Sequence, residues 1–210
     1  MPRPWAASNR GRTRSLHYEL GHKTGWFDQR LRVNGALFYT DYRSYQTFHL
    51  SPFGATIANA ERAHALGAEM EASVRLLTEL ELFASANYTR AEFDRYQFQG
   101  NNFDGKPINN IPAYTVTAGI DYRAKWGGLA RLSWRRVGEF EFDETNTVGQ
   151  SAHDLLDVRV GYVWKNFGLF VFGRNMLDRE YFSNAYRFFG ALVGTPGAPQ
   201  RVGIELTGYF

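Results

Sequence analysis

The 210-residue chain has no cysteine, which excludes a disulfide framework and thiolate metal sites. It has no run of 18 or more apolar residues, so it does not cross a membrane as a helix. The start, Met1 to Arg14, is basic and lacks the apolar core of a secretory signal. Net charge is only +3 with the basic residues scattered, so there is no nucleic-acid patch. Walker loops, dinucleotide fingerprints, nucleophile elbows and zinc motifs are missing, and the five histidines do not cluster. Glu61-Arg-Ala-His64 has di-iron spacing, but that motif needs a helix, a second copy and partner glutamates, and this segment enters a strand. No enzyme activity, metal site or cofactor is expected.

What is present is a strand vocabulary. Aromatic residues make up 16% of the chain, and there are 21 glycines. The mean hydropathy is nevertheless negative, as suits strands that are apolar on one side only. The final stretch shows the pattern. Val202, Ile204, Leu206, Gly208 and Phe210 fall on one face, and Arg201, Gly203, Glu205, Thr207 and Tyr209 on the other. About ten residues is also what a tilted strand needs to cross a bilayer.

The same alternation recurs along the chain. Strands are expected near 16–24, 31–43, 67–76, 80–93, 114–123, 129–140, 153–165, 168–182 and 200–210, about nine in all. Short turns near 25–30, 77–80, 125–128 and 166–167 alternate with long connections near 51–62, 94–112, 141–152 and 183–200. Short turns on one rim and long loops on the other describe an antiparallel transmembrane β-barrel. A β-sandwich has no reason to sort its loops this way. Tyr114 and Tyr122, at the two ends of one apolar face, suit an interfacial aromatic girdle.

Several segments resemble the C-terminal barrel of TonB-dependent outer-membrane receptors of the siderophore type. They are Tyr18-Glu-Leu-Gly-His-Lys-Thr-Gly-Trp-Phe-Asp-Gln-Arg-Leu-Arg-Val-Asn34, Ala36-Leu-Phe-Tyr-Thr-Asp-Tyr42, Asn59-Ala-Glu-Arg-Ala63 with Gly67-Ala-Glu-Met-Glu71, Asn110-Ile-Pro-Ala-Tyr114, and Asn175-Met-Leu-Asp-Arg-Glu-Tyr181. The resemblance runs from about residue 16 to the terminal Phe. It implies a 22-stranded barrel in an outer membrane of a Gram-negative bacterium, with an N-terminal plug that contacts the TonB complex. An odd number of strands does not close a bacterial barrel. The chain is therefore expected to be a C-terminal fragment, with an irregular segment at 1–15, barrel strands over 16–210 and no plug. The resemblance further implies that the last strand addresses the barrel-assembly machinery, with Phe210 as the main determinant.

If the polar faces line a wet lumen, Glu69, Glu71, Asp121, Arg123, Arg159 and Glu205 point inward, where charge is tolerated. The long loops combine aromatics, amides and a cation. Tyr96, Phe98, Asn101, Asn102, Phe103, Tyr186, Arg187 and Phe188 are accordingly candidate contacts for a ferric siderophore or similar ligand. Asn175 and Asp178 are expected to bond backbone groups at a strand end. Two other readings compete: a non-transporting structural or adhesion barrel, and a soluble aromatic-rich β-sandwich that binds carbohydrate.

Overall fold

The computed structural model describes residues 12–51 and 54–208, with the side chains at 49–51, 54–55 and 188 left aside. Every regular element among the described residues is a strand. In chain order they are β1 (Arg14–Trp26), β2 (Leu31–Ser51), β3 (Gly54–Leu77), β4 (Leu80–Arg95), β5 (Gln97–Phe98), β6 (Asn101–Asn102), β7 (Tyr114–Arg123) and β8 (Gly128–Val137). Then come β9 (Phe140–Glu141), β10 (Gly149–Gln150), β11 (His153–Trp164), β12 (Phe167–Arg174), β13 (Phe182–Phe188), β14 (Ala191–Pro196) and β15 (Arg201–Gly208). One antiparallel sheet carries nine of them in the order β1-β2-β3-β4-β7-β8-β11-β12-β15. The remaining six form three two-stranded hairpins in the long connections.

Pairing sorts the sheet into two unlike faces. Leu20, Leu37, Ala68 and Tyr88 follow one another across β1 to β4, as do Leu82, Ile120, Leu132, Val158 and Gly173 across β4 to β12. On that outward face large apolar side chains stand in the open: Val202 is 68% exposed, and Ile204 and Leu206 are each 74% exposed. Water tolerates no apolar face of that extent, whereas hydrocarbon requires one. The opposite face carries Glu69, Asn87 and Thr115 in one row and Glu81, Asp121, Arg131 and Arg159 in another.

Aromatic belts bound the apolar face. Trp26, Tyr122, Tyr162 and Trp164 lie at the short-turn end, where Trp126 stacks on Tyr162 at 5.9 Å. Tyr18 pairs with Tyr39, and Tyr88 with Tyr114, at the other end. Beyond the second belt the outward residues turn charged. Arg90 donates to Glu92 at 2.7 Å, and Arg136 donates to both Asp154, at 2.8 Å, and the Tyr114 hydroxyl, at 3.2 Å. This apolar-to-ionic switch marks the outer interface.

The structure corrects several expected boundaries. β1 begins at Arg14, and residues 1–11 lie outside the described set. Residues 54–62, expected as part of a long connection, are strand, because β2 and β3 stay paired from Leu31↔Val74 out to Ser51↔Gly54. The reason is burial: Ala58, Ala60, Ala63 and Ala65 on the inward side pack with Phe93, Tyr96 and Phe103 into a loop core. In the other direction, β12 stops at Arg174 rather than running to Phe182, because Asn175 takes a left-handed φ of 50°. The connection at 183–200 is itself a hairpin, β13–β14, whose Ala185 packs on Phe142 and Val148.

Candidate functional site

The inward wall is where the sheet concentrates its chemistry. Four carboxylates there are met by a cross-strand cation or amide. Asn87 donates to Glu69 at 2.9 Å, Arg32 to Glu81 at 3.2 Å and Arg159 to Glu205 at 2.7 Å, and Arg131 stands 3.5 Å from Asp121. Glu71 and Arg123 present exposed side chains on the same face. Glu69 and Glu71, with Glu19, Lys23 and Asn34, line an open depression of about 550 Å³ over β1 to β3. The wall is therefore polar and mixed in sign.

Four phenylalanines break the alternation by facing this polar side, and each has a glycine as its direct cross-strand partner. The pairs are Phe38–Gly67, Phe83–Gly119, Phe170–Gly161 and Phe172–Gly203. The ring lies flat in the space a side chain would fill: a Cβ on Gly67 would meet Phe38 Cζ at 2.6 Å, and one on Gly203 would meet Phe172 Cζ at 2.6 Å. Arginines then cover the rings, with Arg159 3.5 Å from the Phe170 centroid and Arg131 4.7 Å from that of Phe83. The strand's polar face thus carries apolar rings without exposing them fully, an arrangement that appears only once the register is known.

Above the wall sits the loop core. Tyr96 is 1% exposed and Phe103 4% exposed, with ring centroids 5.0 Å apart. The Tyr96 hydroxyl shares a 2.8 Å hydrogen bond with Thr47, and burial pushes its pKa up to about 12 although that bond opposes the shift. These two of the candidate ligand residues are packing groups in this conformation. Asn101, Asn102 and Arg187 are exposed, and Phe98 and Tyr186 are half-buried. Asn102 accepts from the Asp104 amide at 2.9 Å, which shapes the turn that follows β6. The Phe188 side chain lies outside the described set, as does Phe210. The β5–β6 and β13–β14 candidates sit in separate loops, and β13 approaches β2.

The 175–181 segment is a structural knot. The Asn175 amide nitrogen donates to the carbonyls of Arg179 and Ala198, each at 3.0 Å, and its side-chain oxygen accepts from the Arg179 amide at 2.9 Å. Its backbone amide donates to Asp157 at 2.9 Å. Only 4% exposed, Asn175 ties β11, the turn and the approach to β15 together. Asp178, also with positive φ, donates its amide to the Asn175 carbonyl at 2.9 Å. Among the described residues no three His, Asp or Glu side chains are grouped to hold a metal ion.

An antiparallel sheet with a hydrocarbon-ready face, a charged inner wall and loops sorted to one rim narrows the possibilities sharply. Residues 8–176 match the family model described as TonB dependent receptor-like, beta-barrel. The chain belongs to that family. Its place is an outer membrane, and its curated relatives are receptors and a transporter rather than enzymes. It is 28% identical over 198 residues to the pesticin receptor of Yersinia pestis, covering 91% of this chain and 28% of that protein. It is 24% identical over 194 residues to the ferrichrome outer membrane transporter/phage receptor of Escherichia coli K12, covering 87% of this chain and 25% of that one. The chain therefore spans about a quarter of the length of these curated relatives. Among solved structures, the ferric yersiniabactin uptake receptor of Y. pestis superposes with a TM-score of 0.79 at 24% identity, over 94% of this chain and 30% of that chain. A copper transporter superposes with a TM-score of 0.78 at 16% identity, over 96% of this chain and 31% of that one. One architecture thus serves different cargoes, and the fold alone does not choose among them.

Proposed function

We propose that this chain forms nine strands of a 22-stranded receptor barrel that takes up a ferric siderophore or a similar scarce solute. The observation that carries the reading is the two-faced sheet: exposed Val202, Ile204 and Leu206 outward, and the Arg159–Glu205 and Arg131–Asp121 pairs inward, in a chain of the receptor family. β1 and β15 each pair on one side only among the described residues. Unpaired backbone is prohibitive in lipid, so further strands of the intact receptor complete the barrel.

In the intact receptor the mixed-charge wall would hold a plug, and the plug would contact the TonB complex. Binding would then be followed by plug rearrangement rather than by covalent chemistry. Asn101, Asn102 and Arg187 are the exposed loop groups that would meet a ligand, and Phe98 and Tyr186 are half-buried in the same two loops. The C-terminal strand, with Phe210, would address the barrel-assembly machinery.

Two measurements test the reading. Urea washing of membranes should leave the protein in the outer-membrane fraction, and release into the soluble fraction would support the carbohydrate-binding sandwich instead. Cells that carry the intact receptor should accumulate radioactive iron from a panel of ferric chelates only while the membrane is energised through TonB. Accumulation of none of them would favour a structural or adhesion barrel.

A further inference from the structure

The β13–β14 hairpin leaves the sheet at the outer end of β12 and reaches toward β2, with β3, β4, β7, β8 and β11 lying between those two strands in the sheet. It therefore forms a strap over the inward wall. Tyr181, just before β13, joins the two ends of that strap. Its carbonyl accepts from the Gly197 amide at 2.7 Å, and its hydroxyl accepts from the Ala198 amide at 3.3 Å. Its ring fills the space where a side chain on Gly197 would stand.

The Tyr181 ring is in turn stacked on His153, with centroids 4.6 Å apart and planes 19° apart. His153 is the outermost residue of β11, next to the Asp154 that lies beyond the outer belt, and it is only 4% exposed. Its Nδ1 donates to the Ser151 carbonyl at 3.3 Å, so a second proton goes to Nε2. The charged groups near it are Arg135 of β8, Arg179 of the turn after β12, and Asp154 of its own strand, whose carboxylate already accepts from Arg136 at 2.8 Å. Burial, aided by the two arginines, outweighs Ser151 and Asp154 and holds the imidazole below the ordinary histidine value. The strap's other anchors among the described residues carry no titrating group. Ala185 packs on Phe142 and Val148, the Phe182 amide donates to the Gln150 side chain at 2.8 Å, and Asn175 holds the Arg179 and Ala198 carbonyls.

We propose that His153 is an acid-sensitive latch: once protonated it leaves its stack with Tyr181 and releases the β13–β14 strap from the wall. An imidazolium at this place is a buried cation beside two guanidiniums, and the water that would solvate it lies outside the stack. When the ring turns out, Tyr181 loses the surface that holds it over Gly197, and the two ends of the strap come apart. Because the folded-state value is depressed, neutral His153 stabilises the closed strap fully above the ordinary histidine pKa of about 6.5. That contribution is lost as pH falls through the folded value.

The test follows hydrogen exchange, corrected for intrinsic rates, in the folded outer-membrane protein in detergent micelles, from about pH 7.5 down to about pH 5. Amides of β13 and β14 should lose about ten-fold in protection, the factor that one pKa unit supplies, while those of β7 keep theirs. His153→Phe leaves a ring on Tyr181 with no proton to gain, so its strap should stay protected over the whole range. Unchanged protection of the strap in the unaltered protein would overturn the proposal without any variant. Acid release that persists in His153→Phe would overturn it as well, by showing that another group controls the strap. What the strap covers rests on the receptor reading, but its release is read without cargo, so failure here would leave that reading standing.

Discussion

At Gly119 an added methyl group would collide with the Phe83 ring and with the Leu132 carbonyl oxygen, and only the ring can move aside. Gly119→Ala should therefore lower stability by about 1–3 kcal/mol, seen as an earlier urea midpoint for loss of heat-modifiable migration. Pairing it with Phe83→Ala should recover only part of the loss, because the carbonyl stays in place; full recovery would put the strain in the ring alone. Asn175 offers a second test at this scale. Asn175→Ala removes three hydrogen bonds at a 4% exposed position and leaves a non-glycine residue at φ 50°. Each partner left unpaired in a buried place costs about 1–3 kcal/mol, so limited proteolysis should begin between residues 176 and 200. Asn175→Gly relieves the backbone but restores no bond, so it should remain nearly as sensitive. The role of Asn175 was legible in the sequence as a strand-end amide. The phenylalanine–glycine pairs were not, since Phe38 reads as a mere lapse in alternation until pairing places Gly67 beneath its ring.

At the scale of elements, period-two alternation found β7 to the residue, because Tyr114 to Arg123 alternates without a break between polar turns. It misplaced the outer halves of β2 and β3, where proline and glycine signals spoke locally for a loop while burial of Ala58 and Ala60 against Tyr96 favoured a continuous ladder. The burial comes from residues some 35 positions away, so no local window contains it. The 143–148 turn makes a comparable case. The Asp143 carboxylate accepts from the amides of Thr147 and Val148, each at 2.9 Å, and from the hydroxyls of Thr145 and Thr147. Burial alone would raise its pKa, but these hydrogen bonds outweigh burial and hold it below the ordinary aspartate value. A lowered folded-state pKa stabilises the turn above the ordinary value and loses that contribution as pH falls through the folded value. Hydrogen exchange at Thr147 and Val148, corrected for intrinsic rates, should therefore accelerate on acidification below about pH 4. Asp143→Ala should exchange fast at every pH, and a pH-dependent variant would show that another group controls the turn.

For the whole molecule, the decisive claim is which face meets lipid, and two adjacent residues test it. Ala118 and Thr117 sit mid-strand in β7, Ala118 four residues from both Tyr114 and Tyr122 and so midway between the two belts. Ala118 pairs with Ala84 and Trp134 on the apolar face, whereas Thr117 pairs with Ser85 and Arg135 on the wall. An arginine facing hydrocarbon at midplane costs about 2–4 kcal/mol, while one facing a wet lumen costs little. Ala118→Arg should thus reduce folded protein in the outer membrane severely, and Thr117→Arg should leave it close to normal. In a water-soluble sandwich the apolar face would be packed against a second sheet, and the outward row would not be 68–74% exposed at Val202, Ile204 and Leu206. A one-residue step that moves the damage from severe to slight is a consequence of the pleat, so equal damage from both substitutions would mean that both faces are buried in protein.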